Sequence, residues 1–164
     1  MQPGDLIVLD IGSIRDGYTA DESRTFVIGQ PTEAQRALFA VASAAEEAAL
    51  AAVGPDVPIP QVHAAAETVV DQGAPPFFPP GSLRLPGFVG HGIGLELDEP
   101  PVLWPREEMR LQEGMVLAIE IEVNAEVDGT MAKMEDTVVV RADGFEMMTH
   151  APRGLTPCGS WNSA

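Results

Sequence analysis

The chain has 164 residues, 45% hydrophobic and 21% charged, the make-up of a globular domain that buries roughly 70% of the surface its unfolded chain exposes, and not of a disordered one. Nine Lys and Arg stand against 25 Asp and Glu, a formal charge of −16, whose field repels phosphate backbones and anionic lipid, so nucleic-acid and membrane partners are not expected. No apolar run approaches the roughly 20 residues of a membrane span, Met1-Gln2-Pro3-Gly4-Asp5 has no basic, apolar leader, and the single Cys158 offers neither disulfide frame nor thiolate cluster, all of which point to a cytoplasmic protein.

Leu6-Ile7-Val8-Leu9 and Ile11 surround Asp10 with apolar residues on both alternating faces, the pattern of a strand covered on both sides. Asp16-Gly17 accepts positive φ at both central turn positions, and Thr25-Phe26-Val27-Ile28-Gly29 reads as the returning strand, so residues 5–29 are expected to form one hairpin. Thr32, with Gln35 three residues on, makes a capping box for an Ala-rich helix that runs to about Val53 and stops at Gly54-Pro55. A shorter amphipathic helix follows from about Pro60 through Val70. Residues 73–87 hold five prolines with Phe77 and Phe78, too Pro-rich for a helix or central strand, and read as a loop that either packs on the surface or lines a substrate mouth. Strands resume near Phe88-Val89. Val116 to Val123 is a second strand of the buried type, Asp128-Gly129 a second turn, Met131 to Val140 the return, and Asp143-Gly144 a third turn before a short strand through Met147 and Met148. This order predicts one α+β domain over residues 1–164, its helices packed on one side of a curved antiparallel sheet.

The acids set into these strands carry the chemistry. An ideal two-residue turn at Asp16-Gly17 pairs Asp10 with Ser23 and leaves Asp21 two residues away on the same face. The same turn at Asp128-Gly129 pairs Glu120 with Thr137 and leaves Glu135 two residues away. Diagonal neighbours of this kind have backbones about 7 to 8 Å apart. Burying four carboxylates so close together protonates some of them or destabilises the fold by several kcal/mol unless cations sit between them. Divalent metal resolves the conflict. Gly90-His91-Gly92-Ile93-Gly94 adds an imidazole that flanking glycines let approach closely. His63, on the Ala-rich second helix, and His150, in the tail, read as packing or surface residues.

On these residues the chain resembles the catalytic domain of the pita-bread metallohydrolases, the family of methionine aminopeptidases, Xaa-Pro aminopeptidases, prolidases and creatinases. Asp10-Ile11-Gly12 through Asp21-Glu22-Ser23-Arg24-Thr25-Phe26 is similar to the family's acidic hairpin, and Gly90-His91-Gly92-Ile93-Gly94-Leu95-Glu96 to its histidine motif. Gly114 to Glu120 and Met134-Glu135-Asp136-Thr137 are similar to its two glutamate motifs. The resemblance implies metal ligands at Asp10, Asp21, His91, Glu120 and Glu135, with Asp21 and Glu135 bridging two divalent ions. Leu95-Glu96 and the Glu-Asp-Thr ending set the chain nearer the Xaa-Pro branch than the methionine branch. The implied activity is hydrolysis of a peptide or small amide by water that the ions activate, with Glu120 also serving as acid and base. Mn or Co is favoured by resemblance, while oxygen-rich ligation also admits Zn or Fe.

Three departures qualify this. The family's second histidine aligns with Asp98, also a candidate catalytic residue, but an ionised carboxylate donates no hydrogen bond to a developing oxyanion. The arginine that Xaa-Pro enzymes carry before the last ligand segment is Lys133, a candidate substrate-binding residue without the bidentate fork. The family's upstream, N-terminal half is missing ahead of the first acidic hairpin, so a homodimer or a complementary chain is expected over the exposed apolar faces. Two alternatives to a peptidase stand beside it: a catalytically weakened relative serving as a binding or scaffolding module, and a creatinase-like hydrolase of a non-peptide C–N bond.

Overall fold

Strands and helices follow the order read from the chain, with two short strands added at Leu83–Arg84 and Thr156–Cys158, where a loop and a tail were expected. In the computed structural model, which describes residues 1–159, β1 (Leu6–Arg15) turns through Asp16 and Gly17, at φ 53° and 88°, into β2 (Tyr18–Ile28). The two-residue turn sets the expected register, with Asp10 opposite Ser23 and Gly12 opposite Asp21. Helix α1 (Glu33–Ala51) starts at Thr32, whose hydroxyl accepts from the Gln35 amide while the Gln35 side chain accepts from the Thr32 amide, and α2 (Ile59–Gln72) follows. Beyond them come β3 (Leu83–Arg84), β4 (Gly90–Gly92), β5 (Glu99–Val102), β6 (Val116–Ala125), β7 (Met131–Arg141), β8 (Gly144–Met147) and β9 (Thr156–Cys158). In the Pro-rich segment Phe78 is buried in the core while Phe77 is exposed.

The sheet runs β1-β2-β7-β6-β4-β5, with β3 added to β6, β8 to β7 and β9 to β2. Every pairing is antiparallel except β9 with β2. Both helices cover one face of it. Leu117, Ile119, Ile121 and Val123 of β6 and Met134, Val138 and Val140 of β7 share one core with Leu38, Ala42, Ala45 and Ala49 of α1 and Val62, Ala66 and Val70 of α2. All are nearly or fully buried, worth about 1.5–3 kcal/mol for each large aliphatic side chain. Strand alternation leaves Glu120, Lys133 and Glu135 on the opposite face.

Two expectations are corrected. The second hairpin is not a two-residue turn: Ala125 N–H donates to Thr130 C=O (2.8 Å) and Gly129 N–H to Ala125 C=O (2.9 Å), so the connection holds residues 126–129. The longer loop slides the register by two residues and sets Glu120 directly opposite Glu135 instead of Thr137. Strand β1 is not covered on both faces. It is the edge strand, and Leu9, Ile11 and Ile14 are exposed, because the helices lie over β6 and β7 and nothing among the described residues pairs with its outer side.

Between α1 and the sheet lies a buried charge network. Asp136, with no exposure, is met by Arg24 Nη2 at 2.5 Å, Arg153 Nε at 2.9 Å and the Thr149 hydroxyl at 2.6 Å. Arg24 also donates to the carbonyls of Glu135, Ser23, Ala151 and Pro152 and to Glu22. Glu46 of α1, fully buried, receives Arg153 at 2.5 Å, yet burial and the nearby Asp136 charge push its carboxyl up to about 8. A carboxyl whose folded value lies above its ordinary 4.5 holds a proton that the unfolded chain releases, so stability falls as pH rises from 4.5 to 8, by up to about 1.4 kcal/mol per pH unit. Glu46→Gln flattens that slope in urea denaturation across this range; an unchanged slope contradicts the assignment.

Candidate metal centre

Asp10 and Asp21 come from the first hairpin, His91 from β4, and Glu120 and Glu135 from β6 and β7. What draws β4 in is the lack of side chains on both sides of His91. A Cβ on Gly90, at φ 146°, would lie 2.2 Å from Ala118 C=O, and one on Gly92 would lie 2.5 Å from Pro100 C=O. Only glycine permits strands β6 and β5 to close on the histidine from either side. His91 is buried, with Nδ1 2.9 Å from Gly92 C=O. A carbonyl only accepts, so Nδ1 carries a hydrogen, and Nε2 is the ring nitrogen turned toward the carboxylates. Nε2 lies 3.2 Å from Asp98 Oδ1 and 3.6 Å from Glu120 Oε1.

Asp21, His91 and Glu135 each bring one donor atom to within 4.8 Å of the others. Glu135 Oε2 accepts from the Ser23 hydroxyl at 2.5 Å, while Glu135 Oε1 is buried without a hydrogen-bond partner. An unsatisfied buried carboxylate oxygen costs on the order of 1–3 kcal/mol or more. A cation beside Asp21 and His91 removes that cost, so the residues present fit a divalent ion. Burial, with the neighbouring Glu120 and Asp21 charges, pushes Glu135 up to about 7 against the pull of Ser23 and Lys133. Burial, then the charge of Asp10, also raises Asp21 above the ordinary aspartate range.

Lys133 lies inside the cluster. Its Nζ is 2.7 Å from Asp10 Oδ2, 2.9 Å from Glu120 Oε2 and 3.4 Å from Glu135 Oε2. Burial alone would lower its ammonium, but the bonds to Asp10 and Glu120 outweigh burial and hold it above the ordinary lysine range. For Asp10, partial burial raises the carboxyl and the Lys133 bond and charge lower it further, leaving it below its usual value. The Asp10 side chain is half exposed and Glu120 mostly buried. Asp98, 74% exposed, stands with His91, Phe88, Glu99, Pro100 and Val102 around a cavity of about 400 Å³. His63 is buried within α2 and His150 is exposed, and neither is among the converging groups.

Sequence reasoning overlooked the residues that hold the cluster together. Ser23 was within reach of the register argument, because the Asp16-Gly17 turn already sets it across from Asp10, and β7 sets it across from Glu135. Strands β2 and β7 meet in a ladder only at that pair, and side chains stitch the rest. Thr25 Oγ1 accepts from Lys133 N–H (2.9 Å) and donates to Lys133 C=O (2.7 Å), while Thr137 Oγ1 donates to Asp21 C=O (2.8 Å).

Residues 1–142 match the model of metallopeptidase family M24. An Xaa-Pro dipeptidase of Lactobacillus delbrueckii subsp. lactis is 32% identical over 157 residues, 94% of this chain and 40% of that protein. Among solved structures, an X-Pro aminopeptidase from Thermotoga maritima superposes with a TM-score of 0.85 at 26% identity, covering 96% of this chain and 43% of the other. The prolidase of Pyrococcus furiosus gives 0.82 at 29% identity over 93% and 43%. The chain thus spans about 40% of the length of the curated relatives it matches, and its sheet and two helices have the pita-bread architecture of those structures.

Proposed function

The chain belongs to metallopeptidase family M24, and from that premise we propose that it works as a metal-dependent hydrolase of the Xaa-Pro peptidase type, cleaving an amide bond with water. The observations that carry this are the convergence of Asp21, His91 and Glu135 and, on the last of them, a buried carboxylate oxygen, Oε1, without a hydrogen-bond partner. Two divalent ions, Mn or Co in preference to Zn or Fe, would be held by Asp10, Asp21, His91, Glu120 and Glu135, with Asp21 and Glu135 the residues that would serve both. When bound, such a pair lowers the pKa of water toward neutrality and polarises an amide carbonyl. Glu120, with a side chain 15% exposed, takes and returns the proton at its carboxylate. His91 keeps Nε2 aimed into the cluster through its Nδ1 bond to Gly92. Lys133, bonded to Asp10 and Glu120 while no second ion is held there, is the candidate to meet substrate once that ion has displaced it. The cavity bounded by Phe88, Pro100 and Val102 excludes water from an apolar part of the substrate. Asp98 contacts the substrate at its mouth.

The test is turnover. With added Mn or Co the chain is expected to hydrolyse Xaa-Pro dipeptides or longer Xaa-Pro peptides slowly. Asp98→His, which restores a donor beside His91, is expected to raise kcat on the order of 10²-fold. Metal uptake without turnover in either protein contradicts the peptidase reading. It favours the weakened binding module, to which the acceptor-only Asp98 already points, or a creatinase-like substrate.

Residues 1–164 are read as one catalytic unit, with residues 160–164 outside the described part. No helix among the described residues is long and apolar enough to cross a membrane, and a cytoplasmic setting is supported by the lone, free Cys158. We assign a second copy or a complementary chain to the open edge of β1, where Leu9, Ile11 and Ile14 lie exposed beside unpaired backbone groups. Light scattering after size-exclusion is expected to give a mass above that of one chain; a compact monomer at every concentration contradicts it.

A further inference from the structure

We infer that the Lys133 ammonium is a resident competitor for the second cation, filling the Asp10–Glu120 side of the cluster until an ion displaces it. The inference rests on the metal-hydrolase reading above. The two sides of the cluster differ. On one, Asp21, His91 and Glu135 converge and Glu135 Oε1 has no partner. On the other, Asp10 Oδ2 and Glu120 Oε2 both contact Nζ, and Glu135 Oε2 is shared between Ser23 and Lys133. A first ion therefore meets a free donor, and a second must take oxygens already in use.

Strand geometry delivers the ammonium there. Lys133 lies two residues from Glu135 on the same face of β7, and the Thr25 hydroxyl clamps both its N–H and its C=O. Its stem is buried, so the charge cannot swing freely into water, whereas Asp10 is half exposed and offers the way out. Charge counting agrees. Four carboxylates, those of Asp10, Asp21, Glu120 and Glu135, face one ammonium. One divalent ion leaves the fully ionised cluster a single negative charge, and a second with Lys133 still inside makes it positive. Entry of the second ion is thus coupled to exit of the ammonium, and its apparent affinity falls by the fraction of time that Lys133 occupies the place.

The experiment is calorimetric titration of the full chain with Mn²⁺, paired with Lys133→Met, which keeps the stem and removes the charge. The parent is expected to take one ion tightly and a second at least about tenfold more weakly. In Lys133→Met the second affinity rises about 10- to 100-fold while the first changes less than about threefold. A second affinity unchanged or lowered in Lys133→Met overturns the inference and leaves the metal reading standing; no ion bound by either protein overturns both. Should Lys133→Met not fold, the parent labelled with ¹⁵N at lysine Nζ answers alone. On titration with Zn²⁺, the Lys133 signal is expected to move at the second equivalent, and movement complete at the first contradicts the competition.

Discussion

Glu135→Gln protein takes up divalent ions at least about 10²-fold more weakly than the parent, and yet, free of metal, unfolds at a temperature no lower. The first half follows from the loss of a ligand that lies in the converging trio and, beside the Lys133 ammonium, also reaches the Asp10–Glu120 side. The second follows from the sign of its titration. Burial and neighbouring carboxylates place Glu135 at about 7, above its ordinary 4.5. Its ionisation is therefore opposed in the folded state, and its contribution to stability falls as pH rises from 4.5 through 7. At pH 7.5 the neutral amide relieves that opposition and still accepts the Ser23 hydroxyl. Metal at a hundred times its Kd stabilises the parent by about 2.7 kcal/mol, a rise of about 5–10 °C in Tm for a chain of this size. Thermal melts with and without Mn²⁺ read both halves. A parent whose Tm ignores metal, or a Glu135→Gln protein that keeps the full rise, contradicts the site.

Arg24→Met costs about 3–5 kcal/mol, the largest stability loss expected outside the apolar core. Arg24 is the buried cation against Asp136, which has no exposure, and its guanidinium also holds four carbonyls drawn from β2, β7 and the tail. Removing it strips Asp136 of one of its two cations and frees the Glu135 backbone that Nη1 grips at 2.6 Å. The same variant therefore weakens metal binding, although Arg24 lies on the helix side of the sheet. Urea denaturation measures the loss; a change under about 1 kcal/mol with metal affinity intact means the network does not position Glu135.

How much of this could be read along the chain depends on how far apart the partners lie. The Thr32–Gln35 cap and the Ala-rich α1 are local, and sequence reasoning found both. The first hairpin was equally legible, because Asp16-Gly17 is a two-residue turn that leaves its register no freedom. Asp128-Gly129 has the same chemistry and misled, since Gly129 closes a longer loop back to Ala125, and nothing in the dipeptide reports loop length. Apolar alternation around Asp10 tells what β1 is able to bury, not what lies over it; the exposure of its apolar residues was implied only by the family resemblance. Asp10, Asp21, His91, Glu120 and Glu135 were all singled out on the sequence. Their arrangement was not, because it depends on where Lys133 goes, and its reach to Asp10 spans 123 residues of chain. Ser23 and Arg24 went unnoticed for the same reason: their decisive partners, Glu135 and Asp136, lie 112 residues away.

The central claim is that these side chains enclose a cation, and anomalous diffraction from crystals grown with Mn²⁺ or Co²⁺ tests it most directly. The account predicts a peak at the metal edge held between Asp21, His91 and Glu135, with Glu135 Oε1 among its ligands. A peak elsewhere on the chain, or none while those three side chains stay in place, contradicts it.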